Sequence, residues 1–196
     1  MEPAADLEAS VAALRATLAA RARREGAPPG HPARPAATLV LLAPGAAGYE
    51  LVFTRRPQEL RSHAGQISFP GGKCGPGDGD ATACALREAA EELGVDAAAV
   101  EVLGLLDDAL TPTGFLVTPV VARLRHPVAY RPNPAEVAEV FTVPVALLRD
   151  PAGYRSSGVL AYGGVDYALH EYHHEGRVIW GVTARMVHQL LRLWAA

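Results

Sequence analysis

Residues Gly65–Val95 read GQISFPGGKCGPGDGDATACALREAAEELGV, a glycine-punctuated loop followed by a compact acidic stretch. Asp80 suits an N-cap and Gly94 a C′ position, which brackets a helix from about Ala81 to Leu93. At roughly 100° per residue, Leu86, Ala89, Ala90 and Leu93 share one face, and Glu88, Glu91 and Glu92 cluster on roughly the opposite side. Like charges three and four apart weaken a helix by roughly 0.2–0.5 kcal/mol per pair, and only Arg87 offsets them locally. One reading is a solvated acidic face. The other is a magnesium site, because hard oxygen donors suit a cation shared between carboxylates and substrate phosphates. Glu88 and Glu92, one turn apart, are placed to grip the metal, with Glu91 close enough to join them or hold a water. The glycines let backbone carbonyls and amides approach metal and phosphates.

"REAAEELGV" (Arg87–Val95) matches the Arg-Glu-aliphatic-x-Glu-Glu-x-Gly-aliphatic end of the Nudix hydrolase box, preceded by "FPGGK" (Phe69–Lys73). From Gly72 to Arg87 there is one residue more than the standard box has. The glutamate usual within the loop is missing, with Asp78 or Asp80 as its replacement. Upstream, "VFTRRPQELRSHAGQISFPGG" (Val52–Gly72) resembles the extended motif of the coenzyme A pyrophosphatase branch. Thr54, Arg55, Arg61, Gly65 and the Phe69–Gly72 run fall in register, and Pro57 departs from it.

The resemblance spans about Ala37 to Leu193. It implies an α+β fold, the Nudix α/β/α sandwich around a mixed β-sheet. It also implies hydrolysis of the pyrophosphate bond of CoA or acyl-CoA, with Mg2+ or Mn2+ as cofactor. Glu88 and Glu92 are then the principal metal ligands, Glu91 an auxiliary ligand or base, and Gly72 a ligand through its carbonyl. Arg87 orients the carboxylates. Arg55 and Arg61 clamp phosphates, a task that suits the forked guanidinium. His63, Gln66, Gly71 and Gly72 complete the substrate contacts. Glu136 and Glu139 lie outside the box, where some relatives keep the base, and each also reads as a solvated strand end. The alternatives are another nucleoside diphosphate substrate (ADP-ribose, NADH or a (d)NTP) and a nucleotide-sensing module without catalysis.

Composition sets the frame. A chain of 196 residues with 49% hydrophobic and 20% charged residues is a globular protein with room for one ordinary domain. A net charge of -3 gives no bulk attraction to nucleic acid or anionic membrane. No apolar run approaches the roughly 18 residues of a membrane span. The resemblance implies a small-molecule partner, and the protein is expected to be a monomer or homodimer. Lys73 is the only lysine among many arginines. That bias suggests a GC-rich bacterial genome and, with no apolar signal core, a cytoplasmic protein. Cys74 and Cys84 are too few for a disulfide framework and receive no role.

Leu7, Val11, Leu14 and Leu18 recur at helical spacing, which predicts an amphipathic helix over 5–24. A Pro/Gly-rich linker then completes an N-terminal segment 1–36, ahead of a domain over 37–196. "TLVLLA", "YELVFTRR", "VEVLGLLDD", "FLVTPVVARL" and "AEVFTVP" read as strands. "VALLRD" reads as a short helix, "DYALHEYHHEGRVIWG" as a hairpin, and "TARMVHQLLRLW" as a closing helix.

Overall fold

The computed structural model describes residues 4–28, 30–59, 63–162 and 165–194. Helix α1 (Ala4–Ala20) leads into strands β1 (Arg34–Gly45) and β2 (Gly48–Arg55), followed by the short β3 (Ile67–Ser68) and β4 (Gly71–Lys73). Helix α2 (Ala81–Leu93) and a 3-10 turn at Ala97–Ala99 come next. They precede β5 (Val100–Leu105), β6 (Ala109–Leu110), β7 (Phe115–Leu124), β8 (Glu139–Pro144) and the short α3 (Val145–Arg149). The chain continues through β9 (Tyr154–Tyr162), β10 (Val165–His174), β11 (Arg177–Trp180) and α4 (Gly181–Leu193).

The central sheet runs β3-β2-β1-β7-β5, with β4 on β1, β6 on β7 and β8 on β2. It is mixed: β1 runs parallel to β7, with Arg34 opposite Phe115 and Leu42 opposite Arg123, and its other pairings are antiparallel. A second sheet, β11-β10-β9, is antiparallel. This is the α+β sandwich that the sequence predicts.

Strand β1 is buried on both faces, which explains the unbroken apolar run "TLVLLA". Leu39 and Leu41 pack with Cys84, Ala85, Ala89 and Leu93 of α2. Val40 and Leu42 pack with Val11, Leu14 and Leu18 of α1 and with Met186, Val187 and Leu190 of α4. Helix α1 thus belongs to the main core. Trp194 ties it to α4, donating from Nε1 to the Ser10 carbonyl at 3.1 Å and to Ser10 Oγ at 2.7 Å.

Two boundaries and one strand differ from the sequence pattern. Helix α1 ends at Ala20 rather than near Arg24. The following arginines are drawn to Asp107 and Asp108: Arg21 reaches Asp107 Oδ1 at 2.5 Å, and Arg23 reaches Asp108 Oδ1 at 2.8 Å. Strand β1 begins at Arg34, inside the predicted linker, because β7 pairs it there and Arg34 lies 4.1 Å above the Phe115 ring. Strand β9 has no counterpart in the predicted elements. Its "YRSSGVLAY" carries Ser-Ser-Gly at the centre and leaves Val159 and Leu160 exposed.

Candidate active site

Helix α2 occupies the residues that its caps predict. Asp80 accepts from the Ala83 amide at 2.8 Å, and Gly94, at φ 67°, donates to the Ala90 carbonyl at 2.9 Å. The buried face differs from the predicted one. It comprises Cys84, Ala85, Ala89, Glu92 and Leu93, while Ala90 is exposed. Glu92 is therefore buried, at 4% exposure, and does not share a solvent face with Glu91. Small residues surround it on the helix, and β4 presses close against that side.

Two glycines permit the approach. A Cβ on Gly71 would lie 2.6 Å from Thr38 Cα, and one on Gly72 would lie 2.6 Å from Glu88 Cδ. With no side chain in the way, the Gly71 amide donates to Glu92 Oε2 at 3.1 Å. Gly72 sits directly against the Glu88 carboxylate, so loop backbone and helix carboxylates share one small volume.

Arg87 organises the rest. Its Nε and Nη2 donate to Asp78 Oδ1 and Oδ2 at 2.8 and 2.9 Å, a bidentate clamp, and Nη2 also reaches the Lys73 carbonyl at 3.1 Å. Nη1 lies 2.9 Å from Glu91 Oε2 and 3.0 Å from Glu88 Oε1. Asp78, rather than the N-cap Asp80, is the loop acid that meets the arginine. The hydrogen bonds from Arg87 and the Gly75 amide hold the Asp78 carboxyl down at about 2, and Asp78 in turn raises Arg87.

Burial pushes Glu92 up to about 7, with the Gly71 amide and Arg56 opposing and Glu88 and Glu136 reinforcing. Burial also raises Glu88, against the pull of Arg87, with Glu91 and Glu136 adding to the rise. Half-buried carboxylates that repel one another favour a proton or a cation. Glu88 and Glu92 thus offer hard oxygen donors beside Gly72 that could hold a divalent ion. Glu136 lies within their field. Glu91 points outward, with its side chain 56% exposed and bound to Arg87.

Among the described residues, the metal-type donor atoms already within 4.8 Å of one another belong to Cys74, Asp78 and Cys84. The two sulfurs are spent on each other. Cys74 and Cys84 form a disulfide across 10 positions, pinning the end of β4 to the first turns of α2. This corrects the expectation that they have no role. Their Cα atoms stand 5.3 Å apart, inside the range a disulfide spans.

The expected phosphate contacts divide. Arg61 lies outside the described residues. Arg55 is spent on Glu139, 3.0 Å away, and Glu139 also holds Arg177 at 2.6 Å. Glu139 is therefore an ion-paired bridge between β2 and β11, not a solvated strand end. His63 Nδ1 and Gln66 Oε1 pair with each other at 2.5 Å, His63 with a φ of 57°. Arg56 is the residue that the sequence reading passes over. Its Nε is buried with no acceptor among the described residues, and its charge acts on Glu92. Arg55 is the last residue of β2 and Arg56 follows directly; successive side chains of an extended chain point to opposite sides, and that alternation was the available signal for choosing between them.

Comparison with known proteins identifies the family and the fold. The chain is 41% identical over 140 residues to the uncharacterized Nudix hydrolase NudL of Photorhabdus laumondii, covering 71% of this chain and 74% of the relative. It is 40% identical over 141 residues to its counterpart in Yersinia enterocolitica, covering 71% of each. In fold it is similar to the M. smegmatis Nudix hydrolase RenU, with a TM-score of 0.50 and 24% identity over 59% of this chain and 73% of that one. The C. elegans Ap4A hydrolase binary complex gives a TM-score of 0.50 and 20% identity over 57% and 80%. The NUDIX domain model matches residues 32–161, so the chain belongs to the Nudix hydrolases, a family of enzymes that act on pyrophosphate bonds.

Proposed function

We propose that the protein hydrolyses the pyrophosphate bond of CoA or acyl-CoA, releasing adenosine 3′,5′-bisphosphate and (acyl-)phosphopantetheine. The observation that carries hydrolysis at this site is the Glu88–Glu92 pair, held against Gly71 and Gly72 with its protons bound more tightly than usual. The CoA preference rests on the upstream stretch Val52–Gly72, which resembles the CoA pyrophosphatase motif.

In this reading Glu88 and Glu92 bind Mg2+ or Mn2+, and the Gly72 carbonyl is their backbone partner. When bound, the ion supplies Lewis-acid polarisation of the diphosphate and lowers the pKa of the attacking water. Arg87, itself fixed by Asp78, positions Glu88 and Glu91. Glu91 accepts the proton of the attacking water, and Glu136, within the field of Glu88 and Glu92, is the second candidate for that task. Arg56 meets substrate phosphate beside the glutamates, with Arg61 as its partner from the same motif. We place the enzyme in the cytoplasm, where CoA is made and used. There the Cys74–Cys84 pair would meet reducing conditions.

Turnover of a panel of CoA, acetyl-CoA, ADP-ribose, NADH and dGTP with Mg2+ tests the reading. Preference for CoA or its thioester supports it. Preference for ADP-ribose or a (d)NTP replaces the substrate, and binding without turnover replaces the enzyme by a sensing module.

A further inference from the structure

We propose that the cleft between α4 and β10 is a second ligand site that binds a phosphate-bearing small molecule. The cleft has a volume of about 840 Å³, within the roughly 300–1,000 Å³ typical of small-molecule sites. The α1–α4 core forms on the opposite face of the central sheet from α2 and its glutamates. The proposal is therefore independent of the substrate proposed above.

Its acids are largely committed. Asp107 is paired with Arg21 and Arg24, and Asp108 with Arg23, the Gly26 amide and Thr118. Glu25, 4.0 Å from Arg23, and Asp166 are the remaining acids, both exposed at the rim. The cations of α4 have no such partners. Arg185 lies half-buried, 4.1 Å above the Tyr167 ring, with no carboxylate partner among the described residues, and neither has Arg192, two turns further along the same helix. Burial and the nearby Arg24 lower the pKa of Arg185. A guanidinium taken out of water beside another cation calls for an anion.

The groups between the two arginines are donors as well. His170 and His188 stack at 3.9 Å with planes 10° apart, and burial favours the neutral form of both rings. The Tyr154 hydroxyl meets His170 Nδ1 at 2.9 Å, and the Tyr172 hydroxyl meets His188 Nδ1 at 3.3 Å. Where each hydroxyl donates to Nδ1, the ring proton sits on Nε2 and each imidazole has an N–H to offer an anion. Gln189 accepts the Asp107 amide through Oε1 at 3.3 Å, which leaves its NH2 to donate. The cleft is thus lined by two guanidinium groups without a carboxylate partner among the described residues, two imidazoles and the Gln189 amide. Phosphate oxygens, which only accept when ionised, fit such a lining.

Calorimetric titration of the full chain with inorganic pyrophosphate in EDTA tests the site, because no metal can then bridge pyrophosphate to Glu88 and Glu92. Saturable binding is expected, weakened roughly tenfold to a hundredfold by Arg185→Met or Arg192→Gln and unchanged by Arg56→Gln. If Arg185→Met unfolds on loss of its contact with Tyr167, the exposed-side change Arg192→Gln carries the test. Absence of saturable binding, wild-type affinity in both α4 variants, or loss of binding in Arg56→Gln alone overturns the proposal.

Discussion

The Gly71 amide donates to Glu92 Oε2 across 3.1 Å, so the strand that precedes the acidic helix is fastened to the most buried of its carboxylates. In Glu92→Gln the amide oxygen keeps this bond while the charge disappears. Activity with Mg2+ is expected to fall roughly a hundredfold or more, as expected for a lost ligand. Melting of the metal-free protein should stay level or rise, because repulsion from Glu88 is relieved. Near-normal rates at limiting Mg2+ would count against Glu92 as a ligand.

The two glycines of β4 should respond differently to alanine. At Gly71 the new methyl meets Thr38 Cα and the Ala37 carbonyl, which are backbone and cannot step aside. Gly71→Ala should destabilise by about 1–3 kcal/mol, the usual cost of overpacking. At Gly72 the methyl meets the Glu88 carboxylate, the end of a side chain that can swing away. Gly72→Ala should melt near the wild-type temperature but lose most activity. Equal melting shifts in the two variants would show that the contacts are not so divided.

Two buried groups give opposing pH slopes. His170 is held down to about 4 by burial, so the unfolded chain binds more protons between about 4 and 6.5. Its contribution makes stability rise with pH across that window. Glu92 is raised from 4.5 to about 7, so the native state binds more protons there, and its contribution makes metal-free stability fall with pH. Denaturant midpoints in EDTA should therefore gain a steeper positive slope in Glu92→Gln and lose it in His170→Phe. Parallel pH profiles in all three proteins would rule this out.

Arg56 and Arg55 are neighbours with different tasks. Arg56→Ala should raise KM or lower kcat/KM by about ten- to a hundredfold, the range for a lost charge-assisted contact. Arg55→Ala should instead loosen Glu139 and Arg177, lowering the melting temperature with a smaller kinetic effect. Arg61→Ala should impair CoA more than ADP-ribose, which lacks the 3′-phosphate. Kinetics of the three variants on both substrates decide the assignment.

Reduction of Cys74–Cys84 frees a closed loop of about ten residues, for which chain entropy suggests up to roughly 3 kcal/mol of lost stability. The Asp78–Arg87 clamp and the Asp80 cap still hold the loop, so activity should fall less than stability. A melt with and without dithiothreitol, beside a Cys74→Ser/Cys84→Ser variant, measures both. An unchanged melting temperature would mean that the cross-link adds nothing.

The helix around Glu88 was legible to the residue because its caps are local: Asp80 and Gly94 act within one turn of themselves. The strands with unbroken apolar runs were equally plain. What local pattern could not give was the burial of Glu92, since it depends on β4 arriving beside the helix. The partnership of Cys74 with Cys84 needs the same juxtaposition. Arg55 and Arg56 look alike in sequence, and only the position of Glu139 on β8, 84 positions past Arg55, separates them. The cleft on α4 is less legible still, being built from segments near residues 24, 108, 167 and 188.

The indole of Trp194, buried to 4% and bonded to Ser10, contrasts with Trp180, which is 53% exposed. The molecule thus carries two tryptophans in opposite surroundings, so the dry one should emit to the blue of the wet one. The dry one watches the seam between the first and last helices, far in sequence from the acidic helix. An emission spectrum can therefore follow the undocking of α1 in real time, with no label and no substrate present.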